Sequence, residues 1–155
     1  MEEDIRNNMK IASVTAVYNN EEVVGTKLES LSIFEKNIVV LGERKLDDIE
    51  GLLAPDRTEK IIKYYFPNVT LIKGDYRTLA EQLNAGIEYA VGYDYIFTID
   101  ADAIFIDKDM EKIVDFCNSN HGFDFYGYPT NMVVDFYYDL YSGRPRISEL
   151  KVTGP

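Results

Sequence analysis

The chain has 155 residues, with 16 Lys and Arg against 27 Asp and Glu, and its formal charge of −11 makes duplex nucleic acid and anionic membrane poor partners without an intervening cation. A single Cys and a single His, Cys117 and His121, exclude an internal disulfide and are too few for a structural zinc cluster. With 46% hydrophobic residues the composition is globular, and the acidic start Met1-Glu2-Glu3-Asp4, with no apolar run near the roughly 20 residues that span a bilayer, reads as a soluble cytoplasmic protein of one domain.

The first predicted element is a β-branched apolar strand from Lys10 to Tyr18, broken by Asn19-Asn20. Val24, Leu28 and Leu31 follow at helical spacing, and Glu21 and Glu22 suit a helix N-terminus, so a helix is expected over 21–34. Asn37 to Leu41 is a second buried strand ending at Gly42-Glu43. Beyond Pro55-Asp56, the positions of Ile61, Ile62 and Tyr65 suit a helix stopped by Pro67, and 69–73 is a third strand. Leu79, Leu83 and Ile87, with Ala80 and Ala90, draw an apolar stripe along a helix over 77–91, closed by Gly92. A fourth strand is expected over 93–99 and a helix over 108–118, with Met110, Ile113 and Val114 inward and Cys117 as a small core residue. Aromatic-rich strands follow over 123–128 and 132–138. Strands alternating with helices imply βαβ units, hence a mostly parallel sheet with helices on both faces and an α/β fold.

In such sheets ligands bind beyond the C-terminal ends of the strands. That rule singles out Tyr18-Asn19, Glu43, Asp75 and the sequence Asp100-Ala101-Asp102, which ends the apolar strand Tyr95-Ile-Phe-Thr-Ile99. Residues i and i+2 of an extended chain point the same way, so both carboxylates can face one cation, and no basic residue stands beside them in the sequence. Oxygen ligands of this kind suit Mg²⁺ or Mn²⁺, which keep positions open for substrate phosphates. An acidic turn that merely closes a buried strand would look similar.

Three segments in order, Thr15-Ala-Val-Tyr18-Asn19-Asn-Glu-Glu22, Leu83-Asn84-Ala-Gly86-Ile87 and Ile96-Phe-Thr-Ile-Asp100-Ala-Asp102, resemble the GT-A glycosyltransferases, most closely family 2. The resemblance covers about residues 10–118. It implies a three-layer α/β/α fold and a sugar transfer from a nucleoside-diphosphate sugar, a UDP-sugar first, to an acceptor hydroxyl. By position, Tyr18 and Asn19 resemble the base-contacting loop, with Ala16 and Val17 supplying backbone. Glu43 stands where the family usually has Asp, and Asp47 and Asp48 are substitutes. Asn84 and Arg77 resemble the family's helical donor-binding positions, although Arg77 lies two turns upstream where the family's cation is closer. Asp100, with Ala101, would face the ribose or support the metal, and Asp102 would hold the Mn²⁺ or Mg²⁺ that bridges the diphosphate.

The same resemblance divides the chain into a nucleotide-sugar-binding half over 10–107 and an abbreviated acceptor half over 108–155. The family's inverting base lies well beyond the D-x-D strand, on the acceptor side. Asp135 and Asp139 are the candidates for it here, with Asp124 beside them, and the chain is expected to bind donor better than it turns it over. Phe123, Phe125, Tyr126, Tyr128, Phe136, Tyr137, Tyr138 and Tyr141 serve as strand core, as a stack for an acceptor sugar, or as a surface for a homo-oligomer. His121, beside Gly122, is read as a solvated loop residue. Two other classes remain open at this stage: a non-catalytic nucleotide-sugar-binding or assembly module, and a haloacid-dehalogenase-like phosphatase, whose D-x-D normally opens the domain. A sugar nucleotidyltransferase would need a Gly-rich loop after the first strand, which Val17-Tyr-Asn-Asn-Glu is not.

Overall fold

The computed structural model describes residues 9–43 and 55–119. Their order is β1 (Ile11–Val17), α1 (Val24–Ser30), β2 (Lys36–Gly42), α2 (Thr58–Tyr65), β3 (Thr70–Gly74), α3 (Leu79–Ile87) with a single 3₁₀ turn (Glu88–Ala90), β4 (Tyr95–Asp100) and α4 (Asp107–Ser119). The four strands form one sheet in the order β3-β2-β1-β4, and every pairing is parallel. The alternation read from the sequence is thus observed. The expected strands over 123–128 and 132–138 lie outside the described residues.

Strand β1 runs through the middle and all seven of its residues are buried, as a parallel strand covered on both faces requires. Its even positions, Ala12 and Val14, join Ile38 and Val40 of β2 beneath α3, Ala90 and the flanking Leu83 and Ile87. Helix and sheet approach closely there because Gly86 has no side chain: a Cβ on it would stand 2.4 Å from Val14 Cγ1 and 2.7 Å from Val40 Cγ2. The odd positions face the opposite layer. Val17, Val39 and Leu41 pack with Val24 and Leu28 of α1 and Ile62 of α2, while Ile11 and Ile99 pack with Leu31, Phe34 and α4 residues Met110, Ile113 and Cys117. Cys117 is buried as expected, and burial pushes its thiol up to about 11.

Helix α1 is shorter than the expected 21–34. Glu21 and Glu22 precede it in a turn in which Asn20 O accepts from Val23 N (3.1 Å) and Val24 N (2.9 Å), so neither acid occupies its first helical turn. Glu21 instead accepts from the backbone N–H of Arg57 at 2.8 Å and from its guanidinium Nε at 3.2 Å. Those two bonds, the backbone one foremost, hold its carboxyl below the usual range. Helix α3 begins at Leu79 because Thr78 caps it, its hydroxyl accepting from Glu81 N at 3.2 Å, and the expected last turn tightens to 3₁₀ before Gly92, whose φ of 90° suits a residue without Cβ. Among the described residues no helix is long and apolar enough to cross a membrane.

Candidate active site at the C-terminal edge of the sheet

The strand order reverses between β1 and β4: the chain builds outward through β2 and β3, then returns under α3 to place β4 on the other side of β1. The loops after β1 and β4 therefore meet, as they do at the ligand sites of open α/β sheets. Two adjoining clefts lie along this edge. The larger, about 580 Å³, is lined by Asn19, Asn20, Glu21, Glu22, Val23, Asp56 and Asp102. The smaller, about 230 Å³, is lined by Asn19, Leu41, Gly42, Glu43, Pro55, Asp56, Glu59 and Lys73. Asn19 and Asp56 belong to both.

The loop after β1 is drawn into shape by its own polar side chains. Asn20 Oδ1 accepts from Tyr18 N at 2.9 Å, Asn20 N donates to the Thr58 hydroxyl at 2.8 Å, and Asn19 takes a positive φ of 28° that Asn tolerates better than most residues. The Tyr18 ring lies against Gly42 at the end of β2, where a Cβ would meet its Cε1 at 2.5 Å. Beneath the loop, Gln82 of α3 is fully buried and its Nε2 donates to Val40 O at 2.7 Å and Val17 O at 3.2 Å, tying the ends of β1 and β2 together. The Val17 carbonyl is thus already engaged from below, and Ala16 is buried in the strand.

Asp56, which in the sequence reads only as part of a Pro-Asp break, ties both clefts together. Its Oδ1 accepts from Thr58 N at 2.8 Å at the entry to α2, its Oδ2 from Glu21 N at 3.1 Å, and its own N–H reaches Asn19 Oδ1 at 3.5 Å. Partial burial works to raise its pKa, but the Thr58 hydroxyl and N–H and the Glu21 N–H outweigh that and hold the carboxyl below the ordinary value. Its sequence signal is the Asp-x-Thr step before a helical stripe.

At the other end of the smaller cleft, Glu43 N donates to Gly74 O at 2.9 Å, which continues the β2–β3 ladder by one residue. Its carboxylate stands 3.7 Å from Lys73 Nζ, which also pairs with Glu59 at 3.0 Å. The Glu59 hydrogen bond is the main reason that the Lys73 ammonium is held above its usual value. Asp47 and Asp48, the substitutes for Glu43, lie outside the described residues, as do His121, Asp124, Asp135 and Asp139. Arg77 and Asn84 are exposed and line neither cleft; Arg77 N donates to Glu81 Oε2 at 2.9 Å, closing the start of α3.

The acidic pair departs from its expected geometry. Strand β4 ends at Asp100, and Ala101-Asp102 form a turn closed by Ala103 N donating to Asp100 O at 3.1 Å. The two carboxylates are therefore not successive same-side positions of an extended strand: Asp102 lines the larger cleft and Asp100 lines neither. A basic partner is present too, supplied by α1 rather than by the neighbouring sequence. Lys27 is 1% exposed and its ammonium donates to the carbonyls of Asp100 and Ala103. Burial pushes it down to about 7, with the carboxylates of Asp100 and then Asp102 pulling the other way. The sequence held a signal for it, since Lys27 follows Val24 by three and precedes Leu31 by four, inside the apolar stripe.

Among the described residues no group of three or more His, Cys, Asp or Glu side chains is arranged to hold a metal ion. Four acidic residues line the larger cleft, but Glu21 and Asp56 already accept hydrogen bonds, so the donor set it offers is the carboxylate oxygens of Asp102 and Glu22. It fits a hard divalent cation held by one or two carboxylates and completed by water and substrate phosphate, rather than a cation caged by protein.

A model of glycosyl transferase family 2 matches residues 53–150, a span that holds α2 to α4 and the Asp100-Ala101-Asp102 turn. The chain belongs to this family. Family 2 membership sets aside the phosphatase reading, and the position of the D-x-D after the fourth strand agrees with that. Two crystal structures of S. aureus TarS share the fold, each with a TM-score of 0.52 and 17% identity over 80% of this chain. The chain spans 39% of the TarS 1-349 structure and 24% of the other TarS structure. No curated protein sequence matches it. The three-layer α/β/α arrangement with its parallel sheet is accordingly the GT-A fold expected from the sequence.

Proposed function

We propose that the chain is a glycosyltransferase that moves a sugar from a nucleoside-diphosphate sugar, a UDP-sugar in the first instance, to an acceptor hydroxyl. The observation that carries the reading is the larger cleft, which sets Asn19 and Asn20 after β1 opposite Asp102 after β4 at the switch point of a family 2 fold. In this reading the smaller cleft receives the base, with the Glu43 carboxylate available to accept an N–H from it, and Tyr18 braces the loop over Gly42. Asp102 would hold Mn²⁺ or Mg²⁺ on the diphosphate. When bound, such a cation offsets the charge that develops on the leaving diphosphate.

The transfer breaks the bond between the anomeric carbon and the diphosphate oxygen and forms one to the acceptor oxygen, whose proton passes to a base. Asp135 and Asp139 remain the candidates for that base. The chain's own contribution at the described edge is positional: it fixes the donor so that the anomeric carbon faces the acceptor side, and it holds the carboxylate of Asp102 toward the diphosphate.

Calorimetric titration of UDP, GDP and UDP-sugars, each with and without Mn²⁺, tests this. Tighter binding of UDP in the presence of Mn²⁺ is expected. Equal affinity with and without the ion, or no nucleotide binding, would remove the reading, and binding without transfer over an acceptor panel would favour the non-catalytic module.

A further inference from the structure

A lysine inside the apolar stripe of a helix is an expensive choice, because removing an ammonium from water costs several kcal/mol unless its donors are satisfied. Lys27 occupies such a position between Val24 and Leu31, both of them fully buried. Its ammonium meets no side-chain partner at hydrogen-bond distance among the described residues; it meets two backbone carbonyls, those of Asp100 and Ala103. These are the first and last residues of the turn that carries Asp102, and Asp100 O receives Ala103 N as well. The turn is thus closed once by its own backbone and a second time by the Nζ of a lysine on another helix, 73 and 76 residues away in sequence.

We propose that Lys27 is a positioning residue: by bridging the carbonyls of Asp100 and Ala103 it fixes the turn between them and so sets the direction of the Asp102 carboxylate into the larger cleft. The value of this carboxylate to nucleotide binding rests on the function proposed above, whereas the hold on the turn does not. The direction of Asp102 follows from the backbone angles at residues 101 and 102, which a two-residue turn leaves free to rock unless both of its ends are held. An apolar residue at position 27 would pack in the stripe at lower desolvation cost but would leave the two carbonyls without this donor. Lysine fits the task for a second reason. Its amine lines neither cleft, so it orders the turn without occupying the place of a cation in front of Asp102.

The test compares wild type with Lys27→Met and Lys27→Gln, the latter keeping one N–H donor. Two measurements are made: hydrogen exchange at the Ala103 amide without ligand, and calorimetry of UDP with and without Mn²⁺. In Lys27→Met the Ala103 amide is expected to exchange faster than in wild type while α3 and β1 amides keep their protection. The Mn²⁺-dependent gain in UDP affinity is expected to fall about tenfold, the scale of lost support behind a metal ligand, with metal-free UDP affinity unchanged. Lys27→Gln should lie between the two. Wild-type protection at Ala103 in Lys27→Met would overturn the inference, as would failure of both variants to fold, since Lys27 would then hold the core rather than the turn. If wild type shows no Mn²⁺-dependent UDP binding, the proposed function fails, and the Ala103 exchange still decides the role of Lys27.

Discussion

Lys27 and Lys73 both serve the C-terminal edge of the sheet, and they do so in opposite ways. At the β1–β4 end, Lys27 is shut away from solvent and spends its donors on backbone carbonyls. At the β2–β3 end, the side chain of Lys73 is 46% exposed and is shared between Glu59 and Glu43. Surface pairs of the second kind are screened by water and salt and contribute little, whereas a buried cation on carbonyls is costly to place and costly to disturb. One edge of one sheet thus has a fixed end, beneath Asp102, and an adjustable end, around Glu43. Gln82 joins the two by donating to strand ends on both sides of the divide.

The fixed end breaks most visibly at Asp102. In Asp102→Ala, calorimetry with Mn²⁺ is expected to show UDP binding at the metal-free level, with an unchanged circular dichroism spectrum, because a carboxylate lining an open cleft contributes little to folding. Retained Mn²⁺ dependence would place the ion elsewhere. Next in size is the joint between the ends. Gln82→Met keeps the volume but removes the donor to Val17 O and Val40 O, and should lower stability by about 1–3 kcal/mol in urea unfolding. An unmoved midpoint would mean that the ends of β1 and β2 do not depend on each other through α3.

A smaller effect is expected at Asp56, where the clefts meet. Its folded pKa lies below the unfolded value of 3.8, so its hydrogen bonds contribute stability that is fully present above that value and is lost as pH falls through the folded pKa. Wild type should therefore exceed Asp56→Asn in stability at neutral pH, and the gap should close in acid. A gap independent of pH would refute the assignment of charge to those bonds. Smallest of all, Lys73→Met should change stability by no more than about 0.5 kcal/mol and respond to salt. A larger, salt-insensitive loss would erase the contrast between the two lysines.

Most of the fold was legible because it rests on local pattern. The β-branched run Ile11–Val17, the stripe Leu79, Leu83, Ile87 and the stop at Gly92 each carry their reason within a dozen residues. Element ends were less legible. Glu21 looked like a helix-start acid until Arg57, on another element, took its carboxylate. The site was legible only where it follows from topology. Asn19, Glu43 and Asp102 come after strands that point the same way, and they line adjoining clefts. What sets their geometry was hidden: Lys27 reaches Asp100 and Ala103 across the fold, and the turn at Ala101-Asp102 departs from the extended chain that spacing alone suggested. Contacts of that range leave no trace in local sequence, apart from the oddity of a charge in an apolar stripe.

The pairing of β1 with β4 has a consequence for how the molecule reaches its folded form. Ile11 lies opposite Tyr95, so the partner strands at the centre of the site are separated by most of the described chain, whereas β1 finds β2 with Ala12 opposite Lys36. Loop closure makes distant parallel pairings slow, and the nearer pairing is the cheaper one to form first. On a ribosome, the loop at Tyr18-Asn19 would be complete, with β2 beside it, long before the residues that face it across the larger cleft had been synthesised. The crevice is therefore a late product of folding: it exists only once the return under α3 has been made, and a chain arrested before that step would carry half of a binding edge and nothing to close it.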